Sequence, residues 1–90
     1  MNFQLGQIVA TAGVSHWINS SSRSDFVRGS LSRHSKGDWG ELCDEDKALN
    51  NDAVKEGNRI LSAYSHDNEK IWIITESDRS CTTVLFPSEY

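Results

Sequence analysis

The sequence predicts an α+β domain in which two or three short helices pack on a three- to four-stranded antiparallel sheet that ends in a β-meander. Three observations predict it. Runs rich in β-branched and aromatic residues, "RILSAYS" (59–65), "KIWIITE" (70–76) and "CTTVLFP" (81–87), follow one another at the end of the chain. The segments between them, "HDNE" and "SDRS", are turn-forming and short enough for hairpins. The clearest helical pattern, "CDEDKALNNDAVKEGN", comes before them, so helices precede strands.

Taken in order, "QIVAT" (7–11) is a short β-rich run that Gly13 closes and that adds a possible fourth strand. "GVSHWIN" predicts one or two helical turns, with Val14, Trp17 and Ile18 spaced i, i+3 and i+4. "NSSSRS" (19–24) is polar and low in complexity, and reads as a loop whose last serine, or Asp25, caps the helix after it. That helix, "DFVRGSLSRHS", has a weak stripe of Phe26, Val27 and Leu31, is weakened by Gly29 and ends at Gly37. In the acidic helix Asp44 is the expected N-cap and Glu45 and Asp46 sit in the first turn. Leu49, Ala53 and Val54 form its apolar edge, and Gly57 stops it. The middle strand is apolar on both faces, with Ile71 and Ile73 on one and Trp72 and Ile74 on the other, which places it centrally.

Residues 1–90 read as one small domain, and a chain of this size buries only about 60–65 % of its unfolded surface. A deep cleft between two domains is therefore not expected. The apolar share of 37 % and charged share of 24 % are those of a soluble globular protein. No apolar run reaches the ~20 residues of a membrane span, and "MNFQLGQIVATAGV" lacks the basic start and apolar stretch of a secretory signal, so a cytoplasmic location is expected. Cys43 and Cys81 then read as reduced thiols.

Charge is unevenly placed. The formal net charge is −4, yet residues 23–36 carry a local +3 and residues 38–56 a local −5. The overall sign argues against direct nucleic-acid binding, which needs a basic face. The asymmetry speaks to partners.

The stretch "HSKGDWGELCDED" (34–46) concentrates the candidate residues. Gly37, Asp38, Trp39 and Gly40 read as a structural turn, with Asp38 capping backbone N–H groups and Trp39 anchoring the loop in the core. Glu41, Asp44, Glu45 and Asp46 then present negative charge at a helix start, as a partner-binding face. The competing chemical reading makes Asp38 and Glu41 a general acid–base pair, which requires burial to raise one pKa. Other chemistry finds little support. No two His or Cys residues are closer than nine positions, against the paired spacing of structural zinc sites. Glycine-rich phosphate loops and the G-x-S-x-G nucleophile elbow are absent from the sequence, and the acids beside Cys43 disfavour a thiolate. No metal, cofactor or catalytic residue is expected.

"GQIVAT", "GDWGEL", "ILSAY", "KIWIITESDRSCTT" and the terminal "PSEY" resemble a family of small proteins carried on plasmids and other mobile elements, labelled "plasmid-related protein" and sometimes "type I restriction endonuclease subunit M". The resemblance covers residues 3–12 and 34–90. A methyltransferase subunit would need a cofactor-binding domain and an Asn/Asp-Pro-Pro-aromatic motif, and this chain has neither. The resemblance implies a mobile-element setting and no chemistry. The expected function is a non-enzymatic acidic protein-binding module, a monomer or homodimer that inhibits a host nucleic-acid-targeting defence complex of protein or ribonucleoprotein by occupying a basic site. The anti-CRISPR or anti-restriction type is meant, with no membrane partner. Alternatives are a small enzyme or ligand-binding domain using Asp38 and Glu41, or a plasmid maintenance subunit.

Overall fold

A computed structural model describes residues 3–90. The elements are β1 (Gln7–Ala10), α1 (Ala12–Trp17), α2 (Ser21–Ser35), α3 (Asp44–Glu56), β2 (Ile60–His66), β3 (Glu69–Thr75), β4 (Cys81–Leu85) and a closing 3-10 turn, Pro87–Glu89. They form an α+β domain around one four-stranded sheet of order β1-β4-β3-β2. The predicted meander is present: β2 pairs antiparallel with β3, and β3 with β4. The tight β2–β3 turn is made by Asp67 and Asn68, whose φ values of 48° and 68° are left-handed.

The sheet is mixed rather than antiparallel throughout, because β1 lies parallel to β4, with Gln7 opposite Cys81 and Ala10 opposite Val84. The helices between β1 and the meander make a crossover, which is the connection a parallel pair requires. A second departure concerns the serine-rich segment. It is not a loop up to residue 24: Ser20 is the N-cap, its hydroxyl accepting from the Arg23 N–H (3.3 Å), and α2 begins at Ser21. Neither Ser24 nor Asp25 caps the helix. A serine hydroxyl satisfies an orphan N–H at a helix start, so polar composition here marks a cap as much as a loop. Arg23 secures the corner by donating to the carbonyl of Trp17 (3.1 Å) and to Asn19 Oδ1 (3.2 Å) while lying over the Trp17 ring.

Alternation along the strands sends Ile60, Ser62, Tyr64, Ile71, Ile73, Thr75, Thr82 and Val84 to one face. There Val14 of α1 and Val27 of α2 pack with Tyr64, Ile71, Ile73 and Val84, all buried, with Trp17, Phe26, Leu31 and Phe86 around them. A second cluster joins Trp39, Ala53 of α3 and Ile60, with Phe3, Leu42 and Val54 at its edge.

Between the two clusters runs a seam of buried polar groups. His34 Nδ1 bonds Ser62 Oγ, and its Nε2 lies 2.8 Å from Thr75 Oγ1. Thr75 Oγ1 is 2.7 Å from Thr82 Oγ1, which donates to the Leu5 carbonyl at 2.7 Å. Proton positions follow from the far end. A carbonyl only accepts, so Thr82 donates to it and accepts from Thr75; Thr75 then accepts from His34 Nε2–H, leaving Nδ1 to accept from Ser62. The chain is fully satisfied, as buried polar groups must be.

On the opposite face Ile74 is buried and Trp72 half-buried. The chain end supplies partial cover, with the Tyr90 ring 5.5 Å from Trp72 and Arg59 over Tyr90.

Candidate docking face

Residues 36–43 connect α2 to α3 along the outer edge of β2. Gly37 and Gly40 take φ values of 86° and 74°, and a Cβ on Gly40 would collide with the Ala63 carbonyl oxygen. That close approach matters because the segment pairs with the edge strand: Ala63 N–H donates to the Trp39 carbonyl (3.3 Å) and Glu41 N–H to the Ala63 carbonyl (2.8 Å). Farther along, the Asn50 side-chain amide meets the Leu61 backbone twice, donating to its carbonyl (2.6 Å) and accepting its N–H (3.3 Å). The outer edge of β2 is thus closed by the chain itself.

Asp38 directly follows the turn at Lys36 and Gly37, and its partners are defined. The Arg33 guanidinium donates to both carboxylate oxygens (2.7 and 3.2 Å), and Asp38 Oδ1 also accepts from the Gly40 N–H (3.3 Å). The Arg33 hydrogen bond holds the Asp38 carboxyl below the usual carboxylate range. This is the reverse of the raised pKa a general acid needs. The Tyr64 hydroxyl donates to the Asp38 carbonyl (2.6 Å), and burial pushes its pKa up to about 12. Trp39 is buried, its indole N–H donating to Asn51 Oδ1 (2.9 Å) and its ring standing beside Phe3 and His34. All four turn residues therefore have structural contacts.

The acids fall on two supports. Glu41 lies on the segment paired with β2, its carboxylate accepting from Ser65 Oγ at 2.9 Å, which makes it a positioned charge. Asp44, Glu45 and Asp46 occupy the first turn of α3 and are exposed. Asp44 is not the N-cap. Cys43 holds that place with extended backbone (ψ 164°) and no side-chain cap bond, while Asp44 is already helical. Three carboxylates in the first turn complement the helix dipole instead. The C-terminus behaves as expected, with Gly57 left-handed at φ 74°.

Leu49 corrects the sequence reading. It does not join the apolar edge of α3 but stands 64 % exposed, while Asn50 and Ala53 take the buried positions. Because α3 lies along the sheet edge, the position facing the strand is filled by the residue able to satisfy Leu61's backbone. Glu45, Leu49, Asp52 and Glu56 follow helical spacing of four, three and four, so the leucine stands within an acidic stripe. Beside it, Leu42, Asp46, Leu49, Asn50, Arg59 and Leu61 line a groove of about 310 Å³. Arg59 is paired with Glu76 at 3.8 Å, which offsets the positive charge in that lining. Acids four before, three after and seven after one leucine were the signal in the sequence for an exposed stripe.

Cys43 and Cys81 are free thiols. Among the described residues, no three His, Cys, Asp or Glu side chains converge as a metal-binding group, and no helix is long and apolar enough to cross a membrane. The fold and this face define a small α+β domain with an acidic, leucine-centred helix along one sheet edge. No protein-family model, curated protein or solved structure matches the chain.

Proposed function

We propose that the chain is a non-enzymatic binding protein whose α3 face docks on a basic site, with an apolar pocket, of a host protein or ribonucleoprotein complex. The observation that carries the reading is Leu49, an exposed leucine within the stripe Glu45, Asp52 and Glu56 and beside an apolar groove. An exposed apolar side chain bordered by charge supports the reading, since it offers a partner area to bury while the surrounding acids orient a basic surface on it. The mobile-element setting implied by the sequence resemblance makes a nucleic-acid-targeting defence complex the partner class, with an anti-CRISPR or anti-restriction effect in the cytoplasm. A net charge of −4 is small for whole-body mimicry of a nucleic acid and fits a one-sided patch.

The test is a pull-down from host lysate with mass spectrometry, followed by displacement of labelled nucleic acid from the captured complex. Wild-type protein should release the nucleic acid, with an affinity that falls steeply as salt is added. A triple change of Glu41, Glu45 and Asp46 to lysine, and separately Leu49→Asp, should stay folded and lose both capture and displacement. Asp44 is left in place in the lysine variant, so that one first-turn acid still complements the helix dipole. A folded triple-lysine protein that binds at full strength would falsify the docking assignment.

A further inference from the structure

The two edges of the sheet are treated differently. The outer edge of β2 is closed by Trp39, Glu41 and Asn50, but among the described residues nothing closes the outer edge of β1. All four of its residues are exposed, Ile8 by 51 % and Val9 by 37 %. Gln7 N–H donates to the Ser80 carbonyl (3.0 Å) and Thr11 N–H to the Val84 carbonyl (3.1 Å), so odd-numbered residues bond β4. Alternation then turns the N–H and C=O of Ile8 and Ala10 outward.

Natural edges are blunted by keeping them very short, or with lysine, proline or a bulge. The four-residue β1 has only its shortness: the one proline is Pro87, and the first charged side chain in the sequence is Arg23. We propose that two copies of this chain associate through β1, antiparallel about a two-fold axis at Val9, doubling the four-stranded sheet into one continuous sheet. About that axis Ile8 of one copy meets Ala10 of the other, and the symmetry makes the same hydrogen-bonded pair twice. The two Val9 residues face each other as a non-hydrogen-bonded pair with Cα atoms about 4.5 Å apart.

A second copy is the occupant that the strand itself fits, because the outward groups of Ile8 and Ala10 complement each other about Val9. Two molecules of net charge −4 repel, and an uncharged strand is where they can meet without apposing like charges. A basic or acidic partner segment gains no complementary charge from this strand. The arrangement is also compatible with the acidic face, since α3 packs on β2 at the far edge of the sheet and stays free in the pair. The proposal does not depend on the docking function. So short an edge buries little area, which places the association in the weak class of interfaces.

Sedimentation velocity over a micromolar-to-millimolar series tests it. The wild-type chain should pass from monomer to dimer. Val9→Lys and Val9→Glu, each placing like charges across the axis, should be monomeric at every concentration with unchanged circular dichroism. Mixed in equal amounts, the two variants should form a heterodimer. A wild-type chain that stays monomeric to millimolar concentration overturns the proposal, and that measurement needs no variant to fold. Dimers that persist in both single variants, or folded variants that fail to pair when mixed, overturn it as well.

Discussion

Arg79 donates from its guanidinium to the carbonyl of Ala53 at 3.0 Å, fastening the last turns of α3 to the β3–β4 turn. The same side chain reaches the carbonyls of Asn58 (2.7 Å), Glu76 (3.1 Å) and Ser77 (3.3 Å) and lies over the Phe3 ring. A cation among carbonyls at a helix C-terminus also complements the dipole. Arg79→Ala should therefore lower stability by about 1.5–3 kcal/mol, the range for hydrogen bonds to a charged group. Arg79→Lys should recover only part of this, because an ammonium cannot reproduce the planar fork. Urea unfolding of the two variants checks both.

His34 makes stability depend on pH. Burial, with Arg79 adding to it, lowers its pKa from 6.5 to about 4. Between those values the unfolded chain takes up a proton that the native chain refuses. Stability is thus fully present above pH 6.5 and declines as pH falls toward 4, by about 3 kcal/mol from this group. Asp38, Asp78 and Glu89, whose pKa values are also lowered, act in the same direction but in the carboxylate range below it. Denaturant midpoints from pH 7 to pH 4 should show the decline, and His34→Leu should flatten the upper part. An imidazole that titrates near 6.5 by NMR in the folded protein would refute the assignment.

Much of the fold was legible because it is local. Alternation of Ile71 and Ile73 against Trp72 and Ile74, the residues Asp67 and Asn68 at a tight turn, and Gly57 after the acidic helix each act within a few residues. Three other features were not legible, for physical reasons. The direction of β1 is decided by a partner more than seventy residues away, Cys81 opposite Gln7, and no local pattern encodes it. The seam of His34, Ser62, Thr75 and Thr82 joins four elements through hydroxyls that look like surface residues in isolation. Within the site, the acids and the turn could be named, but the outward direction of Leu49 follows from Asn50 being needed at Leu61.

Gly29 lies in the interior of α2, exposed, and a Cβ built there meets nothing within 4 Å. Gly29→Ala should raise stability by about 0.5–1 kcal/mol through helix propensity and reduced unfolded-state entropy. The thermal midpoint should rise while partner binding stays unchanged, which makes it a useful background for weaker variants.

β4 is an interior strand, flanked by β1 and β3, and contributes buried Thr82, Val84 and Leu85. A chain ending at residue 80 would leave β3 unpaired on one side and β1 without the strand it pairs with. It should be insoluble or unfolded. A soluble truncation with a cooperative melt would contradict the topology.

Asn50 closes an edge that would otherwise invite pairing with another chain. Its amide matches Leu61 because one side chain offers both a donor and an acceptor. Asn50→Leu should therefore leave the Leu61 N–H and C=O unsatisfied, at about 1–3 kcal/mol for each group that water does not reach. Asn50→Asp separates geometry from chemistry. The carboxylate has the same shape and accepts the N–H, but it points an oxygen at the Leu61 carbonyl where the amide placed a donor. It should be destabilising at neutral pH and should improve as acid protonates the aspartate, against the trend His34 imposes on the wild-type chain. Gains in Asn50→Asp on acidification, relative to wild type measured at the same pH, would identify the lost donor as the cause. An Asn50→Asp protein as stable as wild type at pH 7 would show that the edge does not need it.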